Sequence, residues 1–231
     1  MTSHPALSSI RGIIFDLDGT LYHMKWFMRV LFFVRLLPKG QWLPRYMKLR
    51  AHFAGKDFGS REALLAAMAD DLARQSRVSR QRILGWFEKS FYPGFVDIMP
   101  FFEETRPRVN ELLAALRAKS IKLAVLSDFS RIAERLTALR IDPNVFDALI
   151  SAEDEGALKP NPRPFLAIAK AWDIPAGEVL VIGDRDDTDG LAATASGMQF
   201  LQITDKRHTN GKVLRWDAIR DLLQSIDSGS A

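Results

Sequence analysis

The feature that most constrains the fold of this chain is a set of short apolar runs, each ending on a polar residue. Ile10 to Asp16 reads IRGIIFD, IKLAVLS ends at Ser127, and EVLVIGD ends at Asp184. A strand buried on both faces of a parallel sheet is apolar along its length and turns polar where it emerges at the carboxyl edge. Two weaker strand candidates are ALIS near Leu149 and QFLQIT near Leu201. Between these runs, NELLAALRA, SRIAERLTALR and PFLAIAKAW place apolar residues three and four apart, the spacing of a helix with one buried face. Alternating strand and helix predict an α/β fold: a doubly wound, mainly parallel, Rossmann-like sheet with helices on both faces.

The stretch from about Tyr22 to Pro107 breaks the alternation. It has no clear strand and reads as up to four helices, Met24 to Leu37, Leu43 to Phe53, Ser60 to Arg74 and Ser79 to Phe91, divided by Pro38, Gly40, Gly55, Gly59 and a polar stretch from Gln75 to Val78. Ser60 and Ser79 are suited to capping helix N-termini. Four short-linked helices predict a small bundle inserted after the first strand. The segment MKWFMRVLFFVRLL is apolar nearly all round, which predicts burial on several sides ahead of a dimer contact or a membrane face, and at about fourteen residues it is too short to span a bilayer. Trp86, Phe87 and Phe91 sit at helical spacing and are expected in the core. The tail DSGSA is expected to fray.

With 47% hydrophobic and 26% charged residues over 231 positions, the composition is that of a folded globular protein. The formal charge of +4 favours encounter with anions but does not point to nucleic acid. The absence of cysteine removes disulfides and thiolate metal sites, leaving carboxylates, hydroxyls and histidines for site chemistry. The opening MTSHPALSSIRG has no apolar stretch of the secretory kind, so a cytoplasmic location is expected, as monomer or homodimer.

DLDGT, Asp16 to Thr20, sets two carboxylates two residues apart just past the first strand, before a glycine able to turn sharply. In extended chain the two point the same way. Taken alone, the motif is equally an Asx turn at a strand end. Three features follow in order: Ser127 closing a second strand, Lys159 before Pro160, and GDRDDTD from Gly183 to Asp189 closing a third. In a doubly wound sheet the carboxyl ends of neighbouring strands converge on one crevice, which would bring these residues together.

This ordered set, spanning about Ile10 to Met198, resembles the four motifs of the haloacid dehalogenase superfamily, in its phosphatase branch. The resemblance implies Asp16 as a nucleophile that is transiently phosphorylated and Asp18 as general acid and base. It implies that Thr20, Ser127 and backbone amides hold the phosphoryl oxygens, with Asp128 beside them, and that Lys159 steadies the nucleophile and the transferring group. It implies Mg2+ held by Asp16, the Asp18 carbonyl and Asp184, with Asp189, or in its place Asp187, in support. Carboxylates this close repel by roughly 4 kcal/mol per pair at about 4 Å and an effective dielectric near 20, so the cluster needs cations, and a hard divalent ion with oxygen ligands suits it. Relatives often carry asparagine or glycine after the serine; an acid at 128 would repel phosphate unless it turns away or meets Arg131 or Arg185.

The resemblance also makes the insert a mobile cap, residues 22–107, on a core of residues 1–21 and 108–231, with hinges near Leu21 to His23 and Pro100 to Pro107. Arg29, Arg35, Lys39 and Arg45 are its candidate anion contacts. The implied activity is magnesium-dependent hydrolysis of a small phosphorylated metabolite, with no nucleic acid or membrane partner. The alternatives are a sugar-phosphate mutase, a 2-haloacid dehalogenase, whose chemistry needs neither Asp18 nor a metal, and a binding protein that has kept the fold without catalysis.

Overall fold

A computed structural model describes residues 9–23, 27–37, 40–101, 105–206 and 213–226. The expectations for Met24, Pro38, Lys39, the opening MTSHPALS, part of the second hinge and the tail DSGSA lie outside those residues, as does the side chain of Arg29.

β1 (Gly12–Phe15) is followed by helices α1 (Phe27–Arg35), α2 (Leu43–Phe53), α3 (Arg61–Ser76), α4 (Arg80–Trp86) and α5 (Tyr92–Ile98). The chain then alternates: α6 (Val109–Ala118), β2 (Lys122–Ser127), α7 (Ile132–Ala138), β3 (Ala148–Ser151), α8 (Arg163–Trp172), β4 (Val179–Gly183), α9 (Leu191–Ala195), β5 (Gln199–Ile203), β6 (Val213–Leu214) and α10 (Trp216–Gln224). Among the described residues the strands form one sheet in the order β3-β2-β1-β4-β5-β6, parallel throughout. The expected α/β core is therefore present, with β6 as a short edge strand that periodicity did not reveal.

Strand alternation builds two cores. Ile13, Phe15, Leu123, Val125, Leu180 and Ile182 face α6, α7, α10 and the inserted helices, whereas Ile14, Ala124, Leu126, Val179 and Val181 face α8 and α9. Both faces of β1, β2 and β4 are covered, which is why those runs are apolar without interruption. The chain leaves β1 for β2 on one side and returns to β4 on the other, so a crevice opens beyond the carboxyl ends of β1 and β4.

The insert is helical, as its sequence predicts, and Ser60 and Ser79 each accept a hydrogen bond from the amide three residues on. It differs in its last part. The helix expected over 79–91 ends at Trp86, passes through a wide π turn over Phe87–Phe91 and continues as α5, a fifth helix. Pro93 and Gly94 fall in the first turn of α5, a position where proline is tolerated. Trp86, Phe87 and Phe91 are fully buried around Tyr46. α1 and the turn after it bury Met28, Phe32 and Leu36 but leave Val30, Val34 and Leu37 exposed, so the burial is one-sided. Among the described residues no helix is long and apolar enough to cross a membrane.

Candidate active site

Asp16 is the first residue past β1, and its amide donates to the Ile182 carbonyl of β4, which fixes it on the crevice. One carboxylate oxygen accepts from Lys159 Nζ at 2.7 Å and the other from Thr20 Oγ1 at 2.9 Å. Lys159 also donates to Asp189 at 2.8 Å. Carboxylate oxygens of Asp16, Asp184 and Asp189 lie within 4.8 Å of one another. Two glycines permit this crowding. A Cβ on Gly19, whose φ is +90°, would meet Asp184 Oδ2 at 2.4 Å, and one on Gly183 would meet Asp189 Oδ2 at 2.4 Å.

Three carboxylates share one lysine. Burial pushes Asp16 well above the ordinary carboxylate range; Lys159 pulls it back, while Asp189, Asp184 and Asp18 push it further up. Burial, then repulsion from Asp189, raises Asp184 to about 6. Burial alone would lower Lys159, but Asp16, Asp189 and Asp128 outweigh it and hold the ammonium firmly protonated. The donor set is all hard oxygen with excess negative charge, which fits a small divalent cation.

Asp18 faces elsewhere. Its carboxylate accepts from Ser127 Oγ at 3.0 Å, from the Tyr22 hydroxyl and from the Arg135 guanidinium. Burial raises it, yet the Arg135 charge and hydrogen bonds from Tyr22, Arg135 and Ser127 leave it below its ordinary value. Arg135 lies fully buried on α7, donates also to Ser127 Oγ at 3.1 Å, and stacks 4.3 Å from the Phe95 ring of the insert.

Asp128 turns back to accept the Lys159 amide at 3.1 Å. Neither expected cation reaches it. Arg131 pairs with Glu134, and Arg185 with Asp187 at 2.7 Å. The cation there is Arg50 of α2, which donates to the Asp128 carbonyl at 2.7 Å and pairs with Glu153 at 2.5 Å. Asp189 is buried against Lys159, whereas Asp187 is exposed in its pair with Arg185 and stands outside the carboxylate trio. Arg35 pairs with Asp97 and Arg45 is exposed; neither lines the site.

The sequence reading missed Arg135, Tyr22, Arg50 and Arg106. Arg106, almost fully buried, donates to the carbonyls of Gly19 at 2.7 Å and Thr20 at 3.0 Å and to Asp205, clamping the DLDGT turn from behind. None of the four lies in a spaced motif. Only Tyr22 carried a usable signal, since it follows Asp18 by four residues beyond a turn.

The family model for haloacid dehalogenase-like hydrolases matches residues 10–197, from β1 to the end of α9. The chain belongs to the haloacid dehalogenase-like hydrolases. A phosphoglycolate phosphatase of Pectobacterium atrosepticum is 28% identical to it over 203 residues, covering 86% of this chain and 82% of the relative. Among solved structures, a HAD phosphatase from Thermococcus onnurineus superposes with a TM-score of 0.66 at 17% identity, covering 94% of this chain and 99% of its own. A β-phosphoglucomutase, so described, from Thermotoga maritima gives 0.60 at 19%, covering 94% and 100%. These two likenesses concern the fold. Family membership and the sequence relatives make this hydrolase an enzyme of the phosphatase kind.

Proposed function

We propose that this haloacid dehalogenase-like hydrolase cleaves phosphomonoesters of small-molecule alcohols through a phosphoaspartate on Asp16. The observation that carries the reading is the Asp16 carboxylate at the end of β1, held by Lys159 at 2.7 Å and Thr20 at 2.9 Å beside Asp184 and Asp189. A carboxylate so fixed is aimed, and a protonated lysine next to it offsets charge on the phosphoryl oxygens.

Asp16 attacks phosphorus, the bond from phosphorus to the alcohol oxygen breaks, and the alcohol leaves with a proton from Asp18. Water then attacks the phosphoaspartate, giving up its proton to Asp18. The bond to Asp16 breaks, and inorganic phosphate leaves. In its pair with Arg135, Asp18 is poised for this second role; for the first it must be protonated, which requires Arg135 to loosen. Asp16, the Asp18 carbonyl and Asp184 would hold Mg2+, with Asp189, which accepts from Lys159, in support. When bound, the ion supplies charge neutralisation to the carboxylate trio and to the transferring phosphoryl group. Thr20 and Ser127, whose hydroxyls donate to Asp16 and Asp18, would turn them to phosphoryl oxygens when substrate binds. Asp128, turned to the Lys159 amide, positions that lysine.

The test is hydrolysis of p-nitrophenyl phosphate. Turnover is expected with magnesium, lost with EDTA, and reduced by about a thousandfold or more in Asp16→Asn. Undiminished turnover in that variant refutes the nucleophile. Exchange of phosphate between positions of a sugar phosphate, faster than its release, would favour the mutase reading.

A further inference from the structure

A cavity of about 670 Å³ opens from the carboxylate trio into the insert. That is the size of pocket that takes a drug-sized ligand, far more than a phosphoryl group with a two-carbon acid needs. Its lining is divided. The polar residues all come from the core and belong to the site or adjoin it. Every described lining residue from the insert is apolar: Met28, Phe32, Leu43, Phe91 and Phe95 are buried within it, and Met47 stands at an exposed position. Among the described residues, the one lining cation besides Lys159 is Arg185, already held by Asp187. Against the described walls of the insert, an alcohol bearing a carboxylate, a second phosphate or several hydroxyls meets aromatic and aliphatic side chains, and an unpartnered buried charge is costly.

The apolar lining also reaches the surface. Phe33, partly exposed, lines the cavity and stands beside Val30 and Val34 of α1 and Leu37 in the turn after it; Phe33, Val34 and Leu37 follow Val30 by three, four and seven residues. Val30, Val34 and Leu37 are each more than half exposed. A chain longer than the cavity would leave it over apolar surface.

We propose, on the basis of the phosphatase reading above, that the substrate is the phosphomonoester of a long-chain apolar alcohol. The phosphoryl group sits at Asp16, and the hydrocarbon fills the cavity under the insert and runs out past Phe33 and Met47. The reaction is then ester plus water giving the free fatty alcohol and inorganic phosphate, with no co-reactant besides water.

A series of monoalkyl phosphates from ethyl to decyl tests this, with phosphoglycolate and p-nitrophenyl phosphate alongside, below micelle-forming concentrations. kcat/KM is expected to rise by about fourfold per added methylene until the cavity is full, with phosphoglycolate no better than ethyl phosphate. Met47→Glu is expected to cut the ratio of decyl to ethyl turnover at least tenfold. Leu166→Glu, an exposed apolar residue on α8 outside the cavity, should leave that ratio where it was. Phosphate release that is flat or falling with chain length, best on phosphoglycolate, or unmoved in ratio by Met47→Glu overturns the long-chain substrate while the phosphatase stands. No release from any ester, p-nitrophenyl phosphate included, overturns both. As a readout apart from turnover, decylphosphonate should raise Tm more than ethylphosphonate at equal concentration; equal shifts count against the proposal.

Discussion

Asp16 and Asp18 are two residues apart yet occupy opposite electrostatic settings. Asp16 sits among acids with one lysine, while Asp18 has a buried guanidinium of its own. Removing that guanidinium, as in Arg135→Met, leaves the burial that raises Asp18 and takes away the charge that lowers it. If Asp18 is the base proposed above, the acid limb of kcat should then move to higher pH, because that base is protonated over a wider range. An unmoved acid limb would show that Asp18 does not limit the acid side. Asp184 gives a second pH effect in the metal-free protein. Its folded value of about 6 lies above the ordinary 3.8, so the folded chain binds its proton more tightly than the unfolded chain does. That contribution to stability is complete below about 4 and is lost as pH rises to about 6. Metal binding needs the ionised form, so the rise in Tm on adding magnesium should grow with pH through about 6 and be small below it. Asp16 and Asp184 were readable from the sequence because each ends an apolar run, and Asp18 from its spacing to Asp16. Arg135 and Arg106 were not, because an arginine on an amphipathic helix or in a loop looks the same whether it is solvated or buried on a carboxylate.

At the scale of elements, α2 carries an unusual burden. It sends Arg50 out of the insert and into the core, where it is buried against Glu153, 4.0 Å from the Phe129 ring and bonded to the Tyr46 hydroxyl at 3.0 Å. Glu153 in turn accepts from the amide and hydroxyl of Ser130 at 3.2 and 2.6 Å. Breaking one side of a buried pair strands the other charge, so Arg50→Met should cost about 3–5 kcal/mol in denaturant unfolding. The double variant with Glu153→Met should recover much of that loss. A single variant within 1 kcal/mol of wild type, about the worth of a surface pair, would show that the pair is solvated. The periodicity of α2 announced its helix and its apolar face. It did not announce that one arginine on that helix is a core residue, because its partner lies about a hundred positions away. Local spacing likewise ended the fourth helix at Phe91, whereas the chain continues through Pro93 and Gly94 as α5 in a tightly packed aromatic neighbourhood.

In the whole molecule, besides the Arg50 pair, the insert is held to the core by two backbone junctions of different character. Its two ends meet in an antiparallel bridge between Tyr22 and Thr105, the hinge region expected from the sequence. Its middle is stitched to the segment that carries Lys159. Gly55 N–H donates to the carbonyls of Leu158 and Lys159, Phe58 N–H donates to Gly156 at 2.8 Å, Asp57 bridges Ala157, and Arg61 and Arg163 add ion pairs at 2.8 Å. The insert, expected from the resemblance to be a mobile cap, is in this arrangement fastened to the loop that carries Lys159. Gly156 is where the seam is tightest: its φ is +70°, and a Cβ there would come within 2.4 Å of the Ser60 backbone. Alanine at that position must therefore push Ser60 and the head of α3 away from the loop; α3 packs on α2, which lines the cavity, and Lys159 is three residues on, so the displacement is expected to reach both. Gly156→Ala should lower kcat and raise KM together, beyond any change in Tm, because geometry is lost at the lysine and apolar contact is lost in the cavity. Gly177→Ala, which meets nothing within 4 Å, serves as the control and should behave as wild type. If Gly156→Ala lowers Tm but keeps wild-type kcat and KM, the seam is only structural and the insert does not govern the lysine.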